Sequence, residues 1–274
     1  MRLDLDGLAA ASRVALMFEW REVVGRPPPK HLSEPLMVQI LSHAYQLDTM
    51  VTMLKPSSKD RTATLYAAFG AVETREVDLD AKVRVSLKAA SEELAALGMR
   101  EGQRVSIWDL IRATAIKGAN DTSTTLAEAI SGSEQAFTKR LDETAKKLGL
   151  SRSTFKNAHG LTEKGHLSTA SDMAFLMQAI ADDFPSYLFI LGRINHSAAG
   201  KKITHSARRL LKGYKGAVAA KTGYTRAAGF NRVLLAEKEN ERIITVVIGG
   251  KSTTTMIAQI SKLADLGFRK TPSN

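Results

Sequence analysis

Apolar residues recur at helical spacing through the middle of the chain and at strand spacing near its end. Ser106-Ile107-Trp108-Asp109 has the form of a capped helix start, and Ile107, Leu110 and Ile111 follow on one face. A second helix is expected over 122–130, stopped at Ser131-Gly132. A third begins near Ser133 and sets Phe137, Leu141, Ala145 and Leu148 on one stripe before Gly149 ends it. A fourth starts at Ser168-Thr169, aligns Met173, Leu176, Met177 and Ile180, and stops before Pro185. The period then changes. Residues 217–222 read as a short strand, and 231–236 and 242–248 as a hairpin around the polar turn 237–241. A last amphipathic helix carries Met256, Ile257, Ile260, Leu263 and Ala264 and ends at Gly267; Leu36-Met37-Val38-Gln39 is a candidate first strand. An early strand, a helical middle, then strands and a helix predict an α+β fold whose terminal segments share one sheet.

The first thirty residues read differently. Asp4, Asp6 and Arg13 interrupt what would be the apolar stretch of a secretory leader, so an amphipathic helix with Leu8, Val14, Ala15 and Phe18 is expected there, without an export signal. Pro27-Pro28-Pro29 reads as a stiff linker, which divides the chain into an N-terminal extension, 1–30, and a single domain, 31–270. The 274 residues are 44% hydrophobic and 24% charged, the balance of a globular chain. No apolar run approaches the roughly 18 residues of a membrane span, and no membrane anchor is seen. With no cysteine, disulfides and thiol chemistry are excluded. The 39 basic and 28 acidic residues leave +11, which suits anionic partners, but the basic residues are scattered and form no nucleic-acid motif, so no nucleic acid is expected. The six histidines show no pair at metal-ligand helical spacing; neither a metal nor a cofactor is expected.

Chemistry concentrates at Lys221-Thr222-Gly223 on the first late strand, followed by Tyr224. A lysine charge, a threonine hydroxyl and a glycine that admits close backbone approach make a grip for a carboxylate, and a strand edge pairs with an extended peptide. Residues 221–231 closely resemble the third motif of the low-molecular-mass penicillin-binding proteins, the serine D-alanyl-D-alanine carboxypeptidases. Gly118-Ala119-Asn120-Asp121, Leu126-Ala127-Glu128, Gly132-Ser133-Glu134-Gln135-Ala136-Phe137, Asn157-Ala158-His159-Gly160-Leu161 and 167–174 match family segments in the same order. The resemblance covers roughly 62–268. It implies the fold shared with class A β-lactamases: an antiparallel sheet flanked by helices, with a helical part, about 58–200, inserted between sheet segments and the site in the cleft between them. Neither the β-rich domain nor the amphipathic anchor that many members carry is expected after the last helix.

The resemblance also implies the site residues, and some depart from the family pattern. Placing Thr64-Leu65-Tyr66-Ala67-Ala68-Phe69 on the family's first helix sets the nucleophile at Ser58 and puts Arg61 at the position of its lysine partner. In the second motif Gly118 stands for the family's serine, while Asn120 keeps the amide that binds a substrate carbonyl. The oxyanion hole would be the backbone amides of Ser58 and Tyr224. Ser153-Thr154-Phe155-Lys156 also has serine-to-lysine spacing, but it adjoins the segment 157–161 that the family uses structurally, so ordinary loop or strand residues are expected there. His159 is expected to be a structural histidine, Tyr224 part of the cleft wall and Phe230 core. From 40 to 61 the family pattern is hard to follow. The implied activity is that of a serine-type D-Ala-D-Ala carboxypeptidase acting on peptidoglycan stem peptides through an acyl-serine, with impaired catalysis. The alternative is a non-catalytic peptidoglycan- or peptide-binding relative. Stem peptides ending in D-Ala-D-Ala are the implied partners, β-lactams the implied covalent ligands, and the periplasm or cell envelope the implied location.

Overall fold

The computed structural model describes residues 61–93, 95–239 and 241–270. The expected N-terminal helix, the proline linker, the candidate strand at 36–39 and Ser58 lie outside the described residues. The first described helix, Thr62–Glu73 (α1), buries Leu65, Ala68 and Phe69 and also Thr62 and Thr64. It is covered nearly all round, as befits a helix at the centre of the core. Strand β1 (Lys82–Arg84) pairs antiparallel with β2 (Arg104–Ser106), bracketing the short helix α2, Leu87–Ala90.

The helical middle follows from its caps. The Ser106 hydroxyl accepts from the Asp109 amide and starts α3, Ile107–Arg112. A wide π turn over Ala113–Lys117 continues it, and left-handed Gly118 stops it at φ +70°. Helix α4 (Asn120–Ser131) ends at left-handed Gly132, and α5 (Glu134–Leu148) runs from its Ser133 cap to left-handed Gly149. Helix α6, Ala170–Asp183, is capped by Thr169. A short helix Pro185–Leu188 (α7) and a tight turn Phe189–Gly192 lead to the hairpin β3 (Asn195–Ala198) and β4 (Lys201–Thr204), then to α8, Arg208–Gly213.

Strands β5 (Ala217–Thr225), β6 (Gly229–Lys238) and β7 (Glu241–Gly250) form an antiparallel sheet in that order, followed by α9, Thr253–Lys270. Both faces are covered, which accounts for the nearly continuous apolar run in β6. Ala219, Val233, Leu235 and Val246 join the main core with α1, α4, α5 and α6. Ala220, Leu234 and Ala236 face Leu210 of α8 and Ile260 and Ala264 of α9. Among the described residues no single helix is long and apolar enough to cross a membrane.

Several local expectations are corrected. Strand β5 continues past 222 to Thr225, and the hairpin turn is shorter than 237–241, because Glu237 pairs with Arg242 and Lys238 with Glu241. The Arg242 Nε donates to Glu237 at 2.7 Å, so the charges that suggested a loop lace the strand ends together. Helix α9 runs through Gly267, where a Cβ would lie 3.0 Å from Ile243 Cγ2; the glycine serves close packing on β7, not termination. Leu263 faces outward, Leu148 is only half buried, and Phe230 is half buried where core was expected.

Candidate active site

Lys221 is fully buried, and its ammonium donates to the carbonyls of Thr114 (3.0 Å) and Ala115 (3.1 Å). These carbonyls belong to the π turn at the C-terminal end of α3, where a helix leaves acceptors unused and carries partial negative charge. The lysine therefore ties the sheet to the helical part. The ammonium thus faces the helical part, between it and the sheet. Thr222, one residue on, lies on the other face, and its hydroxyl donates to Ser206 Oγ at 2.7 Å. Gly223 pairs with Asn231 across the sheet. Tyr224 is exposed, its ring 4.5 Å from that of Phe230.

Arg61, Gly118 and Asn120 are brought together. The buried Arg61 guanidinium donates to Asn120 Oδ1, while Asn120 Nδ2 donates to the Glu93 carbonyl at 2.7 Å. A Cβ placed on Gly118 would lie 3.1 Å from Arg61 Nη1, so the guanidinium lies against the space that a side chain at 118 would enter. The two departures from the family pattern thus meet in one place. Ser58, the expected nucleophile, lies outside the described residues. Ser153 donates to Asp172 Oδ2 at 2.7 Å and the adjoining Thr154 bridges Leu167, which is a structural use of that second serine-to-lysine spacing.

Sequence reasoning missed the polar shell around this centre. Residues 120–125 of α4 are six consecutive polar side chains, all buried. Such a run is the anomaly that marks a built site, because polar side chains seldom go inside without assigned partners. Asp121 receives the amides of Leu97 (2.8 Å), Gly98 (2.8 Å) and Met99 (3.1 Å) and shapes the loop facing Asn120. Thr124 donates to Glu92 Oε1 at 3.0 Å.

Beside it, His159 Nε2 lies 3.4 Å from Glu92 Oε1 and 3.7 Å from Glu134 Oε1. Burial pushes the Glu92 carboxyl up. Burial acts the same way on Glu134, but the Ala158 amide and the Lys88 ammonium outweigh it and hold that carboxyl low. The three ligand atoms are close enough to surround a divalent cation. The histidine tautomer does not fit one, since Nδ1 accepts the Leu161 amide at 3.2 Å, which puts the ring proton on Nε2, the atom a metal would need. His205, next to Ser206, is fully buried; desolvation, then the Lys221 ammonium, push it down to about 3, so it stays neutral.

The antiparallel sheet set against a helical region superposes on solved penicillin-binding proteins. The chain belongs to the D-alanyl-D-alanine carboxypeptidase family, whose profile matches residues 44–252. The D-alanyl-D-alanine carboxypeptidase DacF of Bacillus subtilis is 33% identical over 219 residues, covering 78% of this chain and 56% of that protein. Penicillin-binding protein 5 of Haemophilus influenzae superposes with a TM-score of 0.74 at 26% identity, over 78% of this chain and 64% of its own. Penicillin-binding protein D2 of Listeria monocytogenes, solved with ampicillin bound, gives 0.68 at 27% identity, over 78% and 87% respectively. The chain spans little more than half the length of the curated relatives DacF and the Escherichia coli DacC, 56% of each.

Proposed function

We propose that this protein binds peptidoglycan stem peptides ending in D-Ala-D-Ala, along β5 and the Gly118-Ala119-Asn120 turn, as a family member whose acyl-serine chemistry is impaired. The observation that carries this reading is the contact of the Arg61 guanidinium with Asn120 above Gly118. A serine nucleophile needs a base for its proton. Arginine stays protonated at physiological pH and cannot serve, whereas a desolvated lysine at the same place can. Gly118 in turn offers no hydroxyl to pass a proton to the leaving group. Loss of a general base costs roughly 10²–10⁴-fold in rate. Losing a second member of the same relay adds less than its full share, because such residues act as a unit.

The non-catalytic alternative, a peptidoglycan- or peptide-binding relative, draws on the same amide. Asn120 is engaged at both ends, by Arg61 and by the Glu93 carbonyl, so a substrate carbonyl has to displace the latter to reach Nδ2. The +11 charge favours an anionic wall polymer, and the cell envelope is the place where such peptides occur. Intact mass after incubation with a penicillin, beside a Ser58→Ala control, tests the reading. The expected result is no adduct, or one that accumulates over hours. A stoichiometric adduct within minutes that vanishes in the control would refute impaired chemistry.

A further inference from the structure

Arg232 on β6 stands directly across from Thr222 on β5, so their side chains share the sheet face that carries α8. On that face the Thr222 hydroxyl meets Ser206, two residues before α8 begins. Arg232 is only 5% exposed, and its Nε has no hydrogen-bond partner among the described residues. The neighbouring charge is another cation, Arg209 of α8; desolvation first, and Arg209 second, depress the Arg232 pKa. A buried guanidinium beside a second cation, without a carboxylate among the described residues to answer it, is a costly arrangement that an incoming anion relieves. The register sets Arg232 beside Thr222 on this face, whereas Lys221, the cation of the motif, bonds to Thr114 and Ala115 on the other.

We propose that Arg232, supported by Arg209 and the Thr222 hydroxyl, is the residue that takes the terminal carboxylate of the bound peptide. This rests on the peptide-binding reading above and adds to it a specificity-determining residue on the second strand. A planar guanidinium suits a carboxylate in a two-pronged bond, which the same peptide ending in a carboxamide cannot reproduce.

Titration of the full chain with diacetyl-Lys-D-Ala-D-Ala and with its C-terminal carboxamide tests the inference. The wild type is expected to favour the free carboxylate by about tenfold or more. Arg232→Met should erase that preference by weakening the carboxylate peptide more than the carboxamide, and Arg232→Lys should keep part of it. Arg209→Gln, at an exposed position of α8, should reduce the preference without disturbing the strand. Thermal denaturation of Arg232→Met separates a binding role from a structural one: removal of an unanswered buried charge should leave the protein at least as stable. Discrimination equal to wild type in Arg232→Met, or in both Arg232→Lys and Arg209→Gln should the first variant not fold, overturns the assignment and leaves the peptide-binding reading standing. A wild type that binds neither peptide at millimolar concentration sinks that reading, and this inference with it.

Discussion

Arg61 and Gly118 are coupled through space. Gly118 is left-handed at φ +70°, a conformation that costs a residue with a Cβ about 1–2 kcal/mol, and its added Cβ would also press on Arg61 Nη1. Gly118→Ser alone is therefore expected to lower the thermal midpoint. Combined with Arg61→Lys it should lose less than the sum of the two single changes, because the shorter cation vacates the contact. A double-mutant cycle on denaturation measures this, and strict additivity would show that the two sites do not communicate. The same pair tests the chemistry: the double variant should acylate with penicillin faster than either single variant.

The buried carboxylate of Asp121 acts on a smaller scale but as firmly. Asp121→Asn puts an amide where four backbone N–H groups converge, and a loss of roughly 1–3 kcal/mol is expected. Faster hydrogen exchange at Leu97–Met99 would locate the damage; unchanged protection there would mean that the loop is held by other contacts.

Among the elements, the π turn at the end of α3 matters most, since it presents the carbonyls of Thr114 and Ala115 to the sheet lysine. Lys221→Met removes that donor, so urea denaturation should shift to lower concentration and amide exchange over 113–118 should quicken. Stability equal to wild type would argue that the staple is not structural. Capped helices were readable in the chain because a cap is local: Ser106, Ser133 and Thr169 each accept from a backbone amide three residues on. The strand pairs β1–β2 and β3–β4 were not, because Lys82–Arg84 and Lys201–Thr204 are short and charged and acquire strand form only from their partners.

For the molecule as a whole, pH dependence follows from two buried histidines. Desolvation pushes His166 down to about 4, and desolvation with the Lys221 ammonium pushes His205 down to about 3, against 6.5 for an ordinary histidine. Above 6.5 both are neutral whether the chain is folded or not, so they cost nothing there. Below 6.5 the unfolded chain binds protons that the folded one refuses, and stability falls as the pH drops toward 4. Urea midpoints between pH 7 and pH 4.5 should show this decline, with a shallower slope in His205→Asn. A slope unchanged by that substitution would assign the decline to other groups.

Period, caps and short motifs in the sequence by themselves determined the main helices, the late hairpin and the family, because each depends on residues close in the chain or on a motif that survives intact. Tertiary structure alone decided what the site residues touch. Arg61 reaches Asn120 across 59 residues and Lys221 reaches Thr114 across 107, separations over which no periodicity carries information. In the fold Arg61 meets Asn120 beside Gly118, and Lys221 meets the turn that precedes Gly118. Packing then turned the lysine inward, closed the asparagine amide at both ends, and left Arg232 buried beside a second cation. Those outcomes depend on which polar groups find partners once the helical part closes on the sheet, and such partners exist only in the folded state.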